Sequence, residues 1–176
     1  MLNDEIQAAR EVTKTATARL QTFRTPDYGI LGQVDGDTVS YYRRSERRGA
    51  PDTEFEIRAL ETLPRVDIAY SYAGTDGTAI RAFVAAGAKG IVSASFAPGM
   101  DSPADLAALS EARENGVVVV QSTRAGSGRT AVTQRQLRNG FVNSDNLIPQ
   151  KARILLALAL TRTADTAEIA RMFATY

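Results

Sequence analysis

At 176 residues the chain is long enough for one domain with a proper core, or for a small domain plus an arm. Its 21 Lys and Arg against 20 Asp and Glu leave a net charge of +1, which offers no electrostatic footprint for nucleic acid or an acidic surface. With no Cys and no His, disulfides, thiol catalysis and a Ser-His-Asp triad are excluded, and a zinc site loses its usual ligands.

Residues 1–20 read as a polar opening followed by a short strand or hairpin around Ala9 to Thr15; Met1 to Arg10 lacks the pattern of a signal peptide. Tyr28 to Val34 and Thr38 to Tyr42 are β-type runs separated by Asp35-Gly36-Asp37, a hairpin signal because Gly accepts the positive φ of a tight turn. Arg43 to Asp52, with Arg43, Arg44, Arg47, Arg48 and Glu46, reads as a solvated linker.

From Pro64 the pattern becomes βα alternation. Val66 to Tyr72 is a strand, Thr75 or Asp76 caps a helix with Ile80, Phe83 and Val84 inward, and Ile91 to Ala94 is the next strand. Ser102 as N-cap, Pro103 at the first helical position and Asp105 three residues on from the cap start a second helix, which buries Leu106 and Leu109 and stops at Asn115-Gly116. Val117 to Val120 is an unbroken apolar strand, as a parallel sheet covered on both faces requires. Pro149 opens a helix with Ala152, Leu155, Leu156 and Ala159 on one stripe. Asp165 and Glu168 cap a last helix whose inner face is Ile169, Met172, Phe173 and Tyr176. The expected fold class is α/β, a small parallel sheet flanked by helices and preceded by a β-hairpin/linker arm. The expected domains are 1–60 and 61–176. No apolar run is long enough to span a bilayer.

The chemistry-bearing side chains are few. Lys14 stands among Thr13 and Thr15; on its own such a residue is an exposed strand-edge lysine. Gly74-Thr75-Asp76-Gly77 follows a strand and opens a helix, so the Thr-Asp pair reads as a cap. Gly126-Ser127-Gly128 lacks the Gly-Lys-Ser/Thr ending of a phosphate-binding loop. From Val117 to Ser144 there is no acidic residue, while Arg124, Arg129, Arg135 and Arg138 all fall in that window, read as a solvated basic loop.

Four runs change the weight of these readings: Arg10-Glu11-Val12-Thr13-Lys14-Thr15, Ala88-Lys89-Gly90-Ile91-Val92-Ser93-Ala94, Gln121-Ser122-Thr123-Arg124, and Asn146 to Leu156 with Pro149-Gln150-Lys151-Ala152-Arg153 at its centre. Together and in this order they resemble the C-terminal half of the bacterial L-asparaginase/glutaminase family. The resemblance implies hydrolysis of the side-chain amide of asparagine, or of glutamine, through a threonine acyl-enzyme. It implies no cofactor or metal, a homo-oligomer, no nucleic-acid or membrane partner, and a cytoplasmic or periplasmic setting with the cytoplasm favoured. Lys14 then matches the lysine of the second catalytic triad, whose threonine and aspartate partners belong to the nucleophile-bearing half; Met1 stands where an internal aliphatic residue of a longer protein would fit. Gly99 and Met100 fall at the loop that offers a polar side chain to a neighbouring subunit's substrate, and are the expected substrate contacts in trans. Met100 there, the acid-free window and Ile148 in place of an Asn helix cap are departures from the family pattern. A non-catalytic assembly module, and a short amidohydrolase rebuilt around Lys14 with Thr13, Thr15 or Thr75, are the alternatives.

Overall fold

The computed structural model describes residues 1–176, with the side chain of Arg135 outside the described set. The chain divides into two compact units, Met1–Arg48 and Gly49–Tyr176.

The first unit is built from five short strands: β1 (Glu5–Ile6), β2 (Thr13–Lys14), β3 (Phe23–Arg24), β4 (Gly32–Asp35) and β5 (Thr38–Tyr41). β4 and β5 form the expected hairpin, with Asp35 opposite Thr38, so that Gly36-Asp37 is a two-residue turn and Gly36 takes φ 58°. β1 adds to the other edge of β4, and β2 pairs with β3 as a separate antiparallel ribbon. The extended run expected from Tyr28 begins only at Gly32, because Gly29 turns the backbone to φ 73°. Arg43, expected in a solvated linker, instead donates to the carbonyls of Gly29 and Ile30 at 2.7 and 3.0 Å. This satisfies backbone acceptors that no strand partner reaches.

The second unit alternates strand and helix: β6 (Val66–Tyr70), α1 (Thr78–Ala85), β7 (Gly90–Ser95), α2 (Pro103–Glu114), β8 (Val118–Thr123), α3 (Gln134–Asn139), β9 (Val142–Asn143), α4 (Pro149–Ala159) and α5 (Thr166–Thr175). The four strands make one parallel sheet in the order β6-β7-β8-β9. Successive residues of a strand point to opposite faces, and here both faces are apolar. Val92, Val118 and Val120 join Leu155, Leu156, Ile169 and Phe173 of α4 and α5, whereas Ile91, Val117 and Val119 join Ile80 of α1 and Leu109 of α2. The parallel α/β expectation is met. Every residue of β7 and β8 is buried, which explains why Val117 to Val120 reads as a continuous apolar run.

Local details depart from expectation in informative ways. The first helix of the unit starts at Thr78, not on a Thr75 or Asp76 cap. Gly77 occupies its N-cap at φ 78°, and a Cβ there would lie 2.7 Å from the Cβ of Ala108 on α2. Asp76 still contributes by accepting from the Thr78 amide at 2.9 Å. In α2, Ser102 caps as expected, accepting from the Asp105 amide at 3.0 Å, but the Asp105 carboxylate turns inward rather than back to the cap. Leu109 is fully buried while Leu106 is only partly so; Ala108 and Ala112 complete the inner face. In α5, Asp165 caps through the Ala167 amide, whereas Glu168 pairs with Arg171 one turn on. α4 begins on Ile148, which makes no side-chain cap bond, as its sequence implies.

Residues 53–55 are tied to α5: the Glu54 amide donates to the Tyr176 hydroxyl at 2.9 Å, Glu54 pairs with Arg171, and the Phe55 ring lies 4.9 Å from that of Tyr176.

A tight approach in the core lies between β7 and α4, where a Cβ at Gly90 would stand 2.7 Å from Leu156 Cδ2 and 3.1 Å from Leu160 Cδ1. Leu156→Ala is expected to cost about 2–5 kcal/mol, and Gly90→Ala about 1–3 kcal/mol by overpacking. The double variant should cost less than the sum of the two, because truncating Leu156 makes room for the new methyl group. Thermal and urea unfolding of the four proteins check this, with Arg44→Ala as a surface control expected within about 0.5 kcal/mol of the parent. Strict additivity would contradict the contact.

Candidate functional site

The two central strands change character along their length. β7 runs Gly90-Ile91-Val92 and then Ser93-Ala94-Ser95, while β8 runs Val118-Val119-Val120 and then Gln121-Ser122-Thr123. Parallel register places Ser93 beside Gln121 and Ser95 beside Thr123, so the polar halves meet at the C-terminal rim of the sheet. In α/β folds ligands bind at that rim.

These buried polar groups are bonded. Ser95 Oγ donates to the Ser122 carbonyl at 2.5 Å and Ser122 Oγ to the Leu147 carbonyl at 2.8 Å. Asp101 accepts from Ser93 Oγ with one oxygen and from Gln121 Nε2 at 2.8 Å with the other. Asp105, 5% exposed, accepts from Ser71 Oγ at 2.8 Å. Burial pushes the Asp101 carboxyl above its ordinary value of 3.8; the Ser93 and Gln121 donors offset part of this rise, and the neighbouring Asp105 charge adds to it.

Between Ser95 and Asp101 the chain makes a tight turn. Phe96 and Met100 exchange backbone hydrogen bonds at 2.9 and 2.7 Å. Gly99 stands at φ 120°, where a side chain would meet Gln136, Gln121 and Thr130. Its carbonyl accepts from Gln136 Nε2 at 3.3 Å, and the Pro98 carbonyl accepts from the Ala131 amide at 2.8 Å. Gly99 is thus buried in the turn, and Met100, 56% exposed, stands out from it. The structure brings the two expected substrate contacts onto one turn at the rim.

The acid-free window is not a uniform solvated loop. It contains α3, capped by a reciprocal Thr133–Gln136 box whose Thr-x-x-Gln signal is present in the sequence. Arg124 donates to the Ser71 carbonyl at 3.0 Å and lies 4.2 Å over the Phe96 ring. Arg129 pairs with Asp145, just past the end of the window, at 2.5 Å. Arg138 is exposed, and the side chain of Arg135 lies outside the described residues.

Lys14 belongs to the other unit. It sits on β2 opposite Phe23, with its side chain exposed. The ribbon around it is held by hydroxyls: Thr15 donates to the Thr22 carbonyl at 2.8 Å, and Thr22 bonds both polar groups of the Ala16 backbone. Thr13 and Thr15 therefore flank Lys14 on the same ribbon, whereas Thr75 lies in the second unit and donates to Ser102 Oγ at 2.9 Å. A cleft of about 320 Å³ in the first unit is lined by Glu5, Gln7, Phe23, Arg24 and Thr25, among others, and includes none of the expected site residues. Among the described residues no group of acidic side chains is arranged to hold a metal ion. No helix of the described residues is long and apolar enough to cross a membrane.

A doubly covered parallel α/β unit with a hydroxyl-rich rim, preceded by a small antiparallel unit carrying Val-Thr-Lys-Thr, defines the class. The chain belongs to the glutaminase/asparaginase family. A model described as the glutaminase/asparaginase C-terminal domain matches residues 65–173, and one described as asparaginase, N-terminal, matches residues 1–47. A probable periplasmic L-asparaginase of Haemophilus influenzae is 41% identical over 98% of this chain, and L-asparaginase 2 of Escherichia coli is 38% identical over all of it. A crystal structure of a probable cytoplasmic L-asparaginase from Campylobacter jejuni superimposes with a TM-score of 0.96 at 37% identity, covering 99% of this chain and 57% of that one. The chain spans about half the length of the curated relatives it matches, 50% and 51% for the two named.

The Asp101, Ser93 and Gln121 group was not singled out from the sequence, and it carries a pH signature. A carboxyl whose folded pKa is raised contributes stability that is fully present below the unfolded pKa and is lost as pH rises through the folded one. Asp101→Asn removes that loss while keeping an acceptor and a donor for its partners. Its melting temperature relative to the parent should therefore improve as pH is raised from about 4 toward neutrality, the gain ending once the parent carboxyl is ionised. A parallel pair of curves across that range would show that Asp101 does not titrate with folding.

Proposed function

We propose that this chain forms the C-terminal part of an L-asparaginase-type amidohydrolase, which converts asparagine, with glutamine as a second candidate substrate, to the acid and ammonia. The observation that carries the reading is the match along the entire chain, Val-Thr-Lys-Thr included, to proteins named L-asparaginase. On this reading residues 1–60 are the tail of the nucleophile-bearing domain with its linker, and residues 61–176 are the C-terminal α/β domain.

A threonine Oγ would attack the side-chain amide carbon, ammonia would leave with a proton, and water would then cleave the ester to release the acid and restore the hydroxyl. Lys14 supplies an ammonium that stabilises the deprotonated hydroxyl or relays its proton. Its exposed position on β2, free of its own ribbon's packing, supports that role. The threonine and aspartate partners belong to motifs not among these 176 residues. A homo-oligomer lets Gly99 and Met100 of one subunit line the substrate pocket of the next. Relatives bear both periplasmic and cytoplasmic names, so the expected compartment is one of these two.

Purified chain should release no ammonia from asparagine above a protein-free control. Preceded by the nucleophile-bearing half of a relative, it should hydrolyse asparagine, and Lys14→Ala in that fusion should lower kcat by about 10²–10⁴-fold. Turnover by the 176-residue chain alone, abolished by Lys14→Ala, would instead establish a short amidohydrolase built around that lysine; an inactive fusion of sound fold would favour an assembly module. In an active fusion, Met100→Asn should lower KM with little change in kcat, since a polar side chain replaces a thioether that cannot satisfy the substrate's charged groups.

A further inference from the structure

The Asp101 carboxyl is a half-buried acid that the proposed reaction does not use. It follows Met100 directly and precedes the Ser102 cap of α2. Its two donors are register partners on the two central strands, Ser93 on β7 and Gln121 on β8. The Phe96–Met100 bonds shape the turn internally. The Asp101 bonds do something else: they fix where the returning end of the turn stands against both strands.

We propose that Asp101 is a positioning residue, whose carboxyl clamps the 96–101 turn to β7 and β8 and so holds Met100 at the rim of the sheet. The proposal rests on the preceding reading only for what Met100 touches in the assembled enzyme; the clamp itself is a property of this unit. The groups facing Asp101 come from four elements. Ser93 (β7) and Gln121 (β8) donate to it, the Asp105 carboxylate faces it from α2, and Ser71, just past β6, bonds Asp105. Arg124, just past β8, reaches the Ser71 carbonyl. An acid held in this way keeps its geometry in either protonation state. Protonated, it can give its proton to Ser93 Oγ while still accepting from Gln121. An asparagine amide can make the same two contacts, whereas an alanine makes neither.

The test is amide hydrogen exchange on the full 176-residue chain from pH 4 to pH 8, expressed as protection factors and read for the bonded turn amides of Phe96, Gly99 and Met100 against strand amides such as Ile91 and Val119. In Asp101→Ala, protection of the turn should fall by about tenfold or more while the strand amides stay within about twofold of the parent. Asp101→Asn should restore protection of the turn and hold it constant across the pH range. Unchanged turn protection in the alanine variant overturns the clamp, as does an equal loss in turn and strands, or failure of asparagine to rescue. Should Asp101→Ala not fold, Ser93→Ala and Gln121→Ala each remove one donor and should each loosen the turn partially; parent-like protection in both overturns the proposal. No amide substrate is added in the experiment, so a negative result here leaves the amidohydrolase reading standing, and an inactive fusion leaves the clamp standing.

Discussion

The second unit depends on one constraint: β7 and β8 are buried on both faces at once. A strand with one wet face can alternate apolar and polar residues. These two cannot, so Ile91 and Val92, and Val119 and Val120, commit neighbouring positions to opposite cores beneath α1 and α2 on one side and α4 and α5 on the other. Polar side chains are tolerated only toward the C-terminal ends, with partners supplied by the neighbouring strand or by segments that cross the rim. The hydrogen bonds of Ser93, Ser95, Gln121 and Ser122 are therefore consequences of that burial. Any device built at this edge has to be made of loops returning over those hydroxyls, which is what the 96–101 turn is.

The rim also engages two of the arginines of the acid-free window. Arg124 is spent on the Ser71 carbonyl and the Phe96 ring, where a guanidinium stacks as well as donates. Arg129 reaches Asp145, although with its own side chain 77% exposed that pair adds little stability. Arg124 and Arg129 act as struts between loops.

The fold was legible where a signal is local. Ser102-Pro103 marks the start of α2 because capping needs only the first turn, and Val117 to Val120 reads as a buried strand because no other element tolerates so many adjacent β-branched residues. The short α3 was missed because Gln-Arg-Gln-Leu-Arg-Asn carries no apolar stripe, even though its capping box is present. Asp105 illustrates the opposite failure: its spacing from Ser102 is that of a capping partner, yet its carboxylate serves Ser71, 34 residues earlier. Asp101 in isolation reads as a solvated loop acid. Its two donors follow from the register that sets Ser93 beside Gln121, a non-local pairing that no window of sequence contains. Gly99 and Met100 are legible only through family resemblance, since nothing about a Pro-Gly-Met turn announces a substrate.

The anchoring of residues 53–55 by Tyr176 and Arg171 bears on how the second unit can assemble as it is synthesised. Its strands occupy the sheet in the order in which they are made, so each can join the exposed edge of the one before without waiting for later sequence. The Glu54–Tyr176 bond has no such freedom, for its two ends are 122 residues apart. Contacts of long sequence separation form late because a large loop must first be closed. The segment leading into β6 thus leaves the ribosome early and stays undocked until α5 has followed. The sheet can grow progressively, but the unit is latched shut by the last helix it acquires.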